Sequence, residues 1–396
     1  MLKPSYLVSV ASDVVDLFGE ADAKICSKIV TAVSKTKMPK QTSEWQKQRV
    51  REYGRFMSDV NSIIAETSKT SKREVNRIMK ESATVALRYD DQIYRAAGLE
   101  PESIARDPAL QAVLLQGSMD TVALMQNFTK TMAKAANGSF QTLLDRAFLM
   151  VMSGGYSQDT VIRMIIHQLA AEGIEKIGYP SGSFSSVEAA TRRAIITGVN
   201  QSIAKLQIAR AHEMNCNLVE VTSHSGARPT HATWQGGIYC LEGKSGGYDN
   251  LVDVTGYGSG DGLCGWNCYH SFYPFFEGLS TKSFSRDPAA DVGKDNAHEY
   301  DIEQKQRYYE RQVRDAKKSC VIYEAGMKAN PQNEMLKIDF EMASVKLKKR
   351  EAAMRAFLER EGRRQDDIRV AVGGFNRSVS AKAVWANKRS QKAVHK

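Results

Sequence analysis

Apolar residues recur at alternating intervals of three and four along most of this chain, and that spacing commits it to helices that must bury one face. In EYGRFMSDVNSII, residues Tyr53, Phe56, Met57, Val60, Ile63 and Ile64 fall on one helical face. FQTLLDRAFLMVM repeats the pattern through Phe140, Leu143, Leu144, Ala147, Phe148 and Val151, then halts at Gly154 and Gly155. Capping signals punctuate the helices. Ser71 with Glu74, and Ser185 with Glu188, have the form of capping boxes, and Asp107 precedes Pro108 as an N-cap precedes a first-turn proline. Ser157 and Gly173 read as the start and stop of a further helix. The sequence therefore predicts a helical N-terminal region over residues 1–214, with short connections.

The character changes at Asn215. NLVEVTSHS alternates as a strand does, and glycines become frequent from Gly226 to Gly278 with aromatics among them. This predicts a small α+β domain over 215–285, followed by a charged helical extension over 286–369 and a basic tail over 370–396. In the extension, Leu336, Phe340, Ala343 and Leu347 form an apolar stripe. The expected fold class is mainly α with a small α+β domain. A length of 396 residues exceeds what one hydrophobic core usually organises, so more than one domain is expected. Charged residues make up 25% of the chain, an ordinary share that argues against wholesale disorder. Six cysteines over this length exclude a small disulfide scaffold and fit a reducing compartment. Asp13, Asp16 and Glu20 interrupt the first apolar stretch, so neither a signal segment nor a membrane span is expected.

The densest chemistry lies in GLCGWNCYHSFYPF, residues 262–275. Cys264, Cys268 and His270 offer two thiols and an imidazole at loop spacing, the donor types tetrahedral zinc takes, and His231, His224 or Cys240 would supply a fourth ligand. A structural zinc is thus the candidate cofactor. The same residues allow a thiol nucleophile, Cys268 or Cys264 with His231 or His270 as base, although no third orienting group is marked. The preferred reading is a plain core in which buried cysteines pack with Trp266, Phe272, Tyr273 and Phe275, with no cofactor required. Arg228 in GARPTH reads as a rigid anchor to a carboxylate, and His167 as a satisfied core histidine. GYGSGDG lacks the lysine and hydroxyl ending of a phosphate-binding loop, which argues against nucleotide binding there. A net charge of +10 is compatible with a polyanionic partner. The tail carries Arg377, Lys382, Lys388, Arg389, Lys392 and Lys396 with Phe375 and Trp385 and no acid, a pattern that suits either a solvated surface or contacts to nucleic-acid phosphates.

The stretch from SGGYSQDTVIRMIIHQLAAEGI through SHSGARPTHATWQGGIY to GLCGWNC and HSFYPF resembles the phage minor capsid protein 2 family of tailed phages. More remotely it is similar to minor head proteins of the phage Mu F type. The resemblance covers roughly residues 150–280. It implies a low-copy structural head protein at the portal vertex or in the capsid interior, with a part in head assembly and DNA packaging or delivery. The implied partners are the portal protein, other head proteins and genomic DNA through the basic tail, with no membrane. The implied location is the virion, after assembly in the host cytoplasm. No catalytic activity comes with the resemblance. The alternatives are an enzyme or toxin-like protein using the Cys/His cluster, and a DNA-binding accessory protein.

Overall fold

A computed structural model describes residues 2–35, 42–174, 177–178 and 184–394. The chain is mainly α-helical with one small three-stranded sheet. Its elements are α1 (Pro4–Val10), α2 (Ser12–Lys35), α3 (Thr42–Ala96), α4 (Pro108–Met152), α5 (Gln158–Glu172), β1 (Ile177–Gly178), β2 (Phe184–Ser185), α6 (Val187–Glu213), β3 (Leu218–Val221), α7 (Pro229–Ala232), β4 (Ile238–Cys240), α8 (Leu251–Thr255), β5 (Phe272–Pro274), α9 (Asn296–Ala329), α10 (Glu334–Arg360) and α11 (Arg377–Val394). Among the described residues no helix is long and apolar enough to cross a membrane.

Local signals fix several boundaries. Asp107 Oδ1 accepts from the Leu110 amide at 3.0 Å, and Pro108 opens α4. Ser157 Oγ accepts from the Thr160 amide at 3.2 Å, and Gly173, at φ 73°, ends α5. Of the two capping boxes read from the sequence, one is not a helix start and the other is displaced by one residue. α3 runs straight through Ser71 and Glu74, because Val75, Ile78 and Met79 continue its buried face. At the start of α6 the serine that caps is Ser186, whose Oγ accepts from the Ala189 amide at 3.3 Å, while Ser185 belongs to β2.

The chain forms two compact units, each assembled from three separate stretches of sequence. One gathers Met1–Val14, Ser71–Met125 and Thr191–Lys305; the other gathers Val15–Thr70, Gln126–Ala190 and Gln306–Lys396. The dividing points fall inside α2, α3, α4, α6 and α9, so these helices contribute residues to both units. The first unit holds the antiparallel sheet, in order β4-β3-β5, with Val219 opposite Tyr239 and Glu220 opposite Tyr273. Its core joins Val219, Val221, Trp234, Tyr239, Leu263 and Phe272 with Ala204 of α6. α4 and α6 approach closely there: a Cβ at Gly198 would lie 2.4 Å from Thr121 Oγ1, and one at Gly117 would lie 2.1 Å from Ser202 Oγ.

In the second unit, aromatic pairs join α3 to α4. Trp45 stacks on Phe148 with ring centroids 4.4 Å apart, and Phe56 on Phe140 at 4.2 Å. Lys318 of α9, partly buried, pairs with Glu188 at 2.5 Å and with Asp22 at 3.4 Å. The stripe Leu336, Phe340, Ala343 and Leu347 is buried along α10. α11 packs on this unit through Val379, Ala383 and Ala386, so the basic tail is a docked helix over much of its length.

Arg163 of α5 makes a bidentate pair with Asp339 of α10, at 2.6 and 2.7 Å. His167 Nε2 reaches the same carboxylate at 3.0 Å, and the Tyr323 hydroxyl meets His167 Nδ1 at 2.9 Å. His167 is therefore satisfied, as its sequence context suggests, but with a side chain 47% exposed it belongs to the surface of this network. Burial opposes ionisation of Asp339, yet the hydrogen bonds from Arg163 and the pull of His167 outweigh it and hold the carboxyl below its ordinary value. Stability from a carboxyl lowered in the folded state is fully present above its unfolded value of about 3.9 and is lost as pH falls through the folded value. Arg163→Met should cost about 3 kcal/mol at neutral pH, since it leaves a buried carboxylate short of its main partner. Thermal melts from neutral to acidic pH should show the gap between wild type and Arg163→Met closing below about pH 4. A gap of constant size would contradict this assignment.

Candidate functional site

The Cys/His cluster is built in the first unit by two irregular segments that flank the sheet. β3 runs into a turn through Gly226, at φ 74°, and Pro229 then starts the single-turn α7, which carries His231 into the interior. The second segment, after α8, folds back tightly. A Cβ at Gly262 would sit 2.0 Å from the Gly256 carbonyl oxygen, and one at Gly265 would sit 2.4 Å from that of Gly260. Cys264 and Asn267 adopt φ 59° and 53°, a left-handed conformation that non-glycine residues seldom take. These turns deliver Cys268 and His270 beside His231.

Three of the four residues singled out in the sequence converge. The ligand atoms of His231, Cys268 and His270 all lie within 4.8 Å of one another, and all three residues are buried. Cys268 Sγ is 3.8 Å from His231 Nδ1 and 3.6 Å from His270 Nδ1. The outer nitrogens are also engaged, His231 Nε2 with the Asp261 carbonyl oxygen at 2.8 Å and His270 Nε2 with Gln235 Oε1 at 3.0 Å. Cys264 does not join them. Its left-handed backbone turns the thiol toward the His270 carbonyl, 3.7 Å away. Cys240 lies elsewhere, its sulfur 3.6 Å from the Tyr248 carbonyl oxygen. His224 stacks on His270 with ring centroids 4.4 Å apart and an angle of 30°.

Packing and hydrogen bonding hold the cluster. Trp234 lies against both rings, 4.5 Å from His231 and 5.0 Å from His270. Asn200 of α6, fully buried, donates to the carbonyls of Cys268 and His270 at 3.0 and 2.9 Å. Arg228 anchors the segment as a rigid arm, but its partner is the Trp266 carbonyl oxygen at 2.7 Å and not a carboxylate. Trp266, expected among the core aromatics, is instead 61% exposed, with its ring over the backbone at Gly260. Asn200, Gln235 and the Asp261 carbonyl are the functional neighbours that spacing rules alone pass over. Asn200 had a signal, since it shares a helical face with Ala204 and Ala211 and so places a polar group on the apolar side of α6.

The electrostatics favour neutral groups. Burial pushes His231 down to about 4 and, with the nearby His224 and His231, holds His270 well below the usual imidazole range. Burial also raises the Cys268 thiol above its ordinary value. A nucleophilic cysteine needs the opposite shift and access to substrate, and Cys268 is 1% exposed. The arrangement can gather donor lone pairs around one point; it is poorly arranged to attack a substrate.

The basic residues proposed for nucleic-acid contact lie apart in sequence, on α11. Lys382 pairs with Glu324 at 2.6 Å and Arg389 with Glu341 at 2.9 Å, while Lys388 sits over the Trp385 ring, 5.6 Å from its centroid. Arg377 opens the helix and Lys392 lies in its last turn. Lys396 falls outside the described residues.

Replacing Asn200 by alanine would leave the Cys268 and His270 carbonyls buried without their donor. Asn200→Ala should therefore lower stability by at least about 2 kcal/mol in chemical denaturation of the full chain. An unchanged denaturation midpoint would show that Asn200 does not hold the segment.

The known proteins that this chain resembles are phage structural proteins. The chain is 22% identical over 287 residues to a structural protein of Lactococcus phage LL-H, covering 68% of this chain and 75% of that protein. Over 70 residues it is 41% identical to a structural protein of Lactococcus phage mv4, covering 17% of this chain and half of that protein. No solved structure matches. Residues 2–359 match phage minor capsid protein 2, and the chain belongs to that family of phage structural proteins.

Proposed function

We propose that this chain is a low-copy component of a tailed-phage head that sits at the portal vertex or in the capsid interior, against the portal protein and other head proteins, and contributes to head assembly and DNA packaging or delivery. The observation that carries the proposal is a second apolar face on α10. Leu336, Phe340, Ala343 and Leu347 fill the unit's own core, yet Met335, Ile338 and Met342, spaced by three and four, are exposed on another side of the same helix. Ile338 lines a groove of roughly 780 Å³ together with Trp385 of α11, which is itself 65% exposed. A helix that is apolar on two sides is the pattern of one side packed within the chain and one side packed against a partner. Replacing Ile338 and Met342 by lysine together should leave the folded chain intact and reduce its incorporation into heads at least about tenfold, an energy of about 1.4 kcal/mol at that interface. Quantitative mass spectrometry of purified particles would read this, and undiminished incorporation would contradict it.

Packaged DNA is the second proposed partner, supported by the charge of α11. Arg377, Lys382, Lys388, Arg389 and Lys392 lie in a helix with no acidic residue. Because Glu324 and Glu341 already pair with Lys382 and Arg389, the salt dependence should be shallow, equivalent to about two or three phosphates. Removal of residues 377–396 should abolish that dependence. An unchanged affinity and slope after the deletion would exclude the helix as the contact.

A further inference from the structure

We propose that His231 Nδ1, Cys268 Sγ and His270 Nδ1 bind a zinc ion that staples the segment carrying His231 to the segment carrying Cys268 and His270. His231 Nε2 faces a backbone carbonyl oxygen, Asp261 O, which can only accept, so this ring carries its proton on Nε2. His270 Nε2 faces Gln235 Oε1. The orientation of that amide is fixed by its other bonds, since Oε1 accepts from the His224 amide at 3.1 Å and the amide nitrogen donates to the Arg286 carbonyl oxygen at 3.3 Å. His270 is therefore also protonated on Nε2.

Both Nδ1 atoms are then bare acceptors, and both turn toward the same sulfur. A thiol has one hydrogen and can serve only one of them, which leaves a buried lone pair facing another lone pair. A cation at the centre satisfies all three donors at once. The outer bonds also have the form found around metal-bound imidazoles, in which the ring nitrogen remote from the metal donates to a carbonyl or amide oxygen and fixes the ring.

The spacing agrees with zinc. Bonds of about 2.3 Å to sulfur and about 2.0–2.1 Å to nitrogen at a tetrahedral angle place sulfur and nitrogen about 3.6 Å apart. The two observed separations are 3.6 and 3.8 Å. One thiolate with two imidazoles is a borderline-soft set that suits zinc better than magnesium or calcium. On binding, the Cys268 S–H bond breaks, its proton leaves to solvent, and the sulfur electron pair forms the bond to the ion. Cys264 is outside the set because only the donor atoms of His231, Cys268 and His270 lie within 4.8 Å of one another, so the fourth tetrahedral position is left to a water or another exogenous donor.

Purified full-length chain, prepared with zinc and without chelator, should contain about one zinc by elemental analysis. Replacement of zinc by cobalt should produce a thiolate-to-cobalt charge-transfer band, and a chelator should lower the melting temperature of the wild type. Cys268→Ser should lose the band and the metal, whereas Cys264→Ser should keep both. Folded wild-type chain with no zinc and no cobalt band would overturn the proposal, as would a metal other than zinc at that stoichiometry. Retention of metal by Cys268→Ser, or its loss from folded Cys264→Ser, would overturn the ligand set. Should Cys268→Ser fail to fold, the cobalt band and chelator response of the wild type decide.

Discussion

One face of α6 carries deeply buried polar side chains, and the small sheet depends on two of them, Asn200 and Gln207. Asn200, Gln207 and Arg210 are at most 4% exposed, and a polar group so deep must find partners or destabilise the fold. Asn200 takes the carbonyls of Cys268 and His270. Gln207 donates to the Phe272 carbonyl oxygen and to Asp90, each at 2.7 Å, and Arg210 donates to the Glu102 carbonyl oxygen at 2.5 Å. Strands of three or four residues cannot fix their own register or support long glycine-rich turns. The helix does it for them, bonding to the backbone of β5 and of the turn that precedes it. Glu220 of β3 extends the same principle, accepting from the Tyr273 hydroxyl and from the Ser283 and Phe284 amides.

This dependence separates what the sequence reveals from what it hides. Helix periodicity, the caps at Asp107 and Ser157, the stop at Gly173 and the strand near Leu218 are local signals, and the structure places them as expected. Ser71 with Glu74 misleads because a capping box matters only where the apolar face ends, and here it continues. Within the cluster, residue type and spacing identify His231, Cys268 and His270. They cannot tell that Cys264 takes a left-handed backbone conformation, which turns its thiol away. Trp266 shows the same limit, since its spacing does not tell that its ring lies exposed over Gly260. The two units are the least legible feature. Five helices cross the division between them, and no composition shift marks a boundary that lies inside a helix.

The chemistry of the cluster favours cohesion over reaction. A thiol whose burial raises its pKa, between imidazoles that burial keeps neutral, is suited to holding segments together. It lacks the access and charge that a nucleophile needs. Such a centre ties together irregular segments that the three short strands cannot hold by themselves. The chain's long helices then present surface for neighbours, with α10 apolar on two sides.

The role proposed for this chain is that of a built-in part of the phage particle. Quantitative mass spectrometry of nuclease-treated, density-purified virions, with copy number set against the major capsid protein, tests that claim most directly. The account predicts the intact chain in every preparation, at a fixed ratio well below that of the major capsid protein. Particles that are complete and infectious without it would contradict the account.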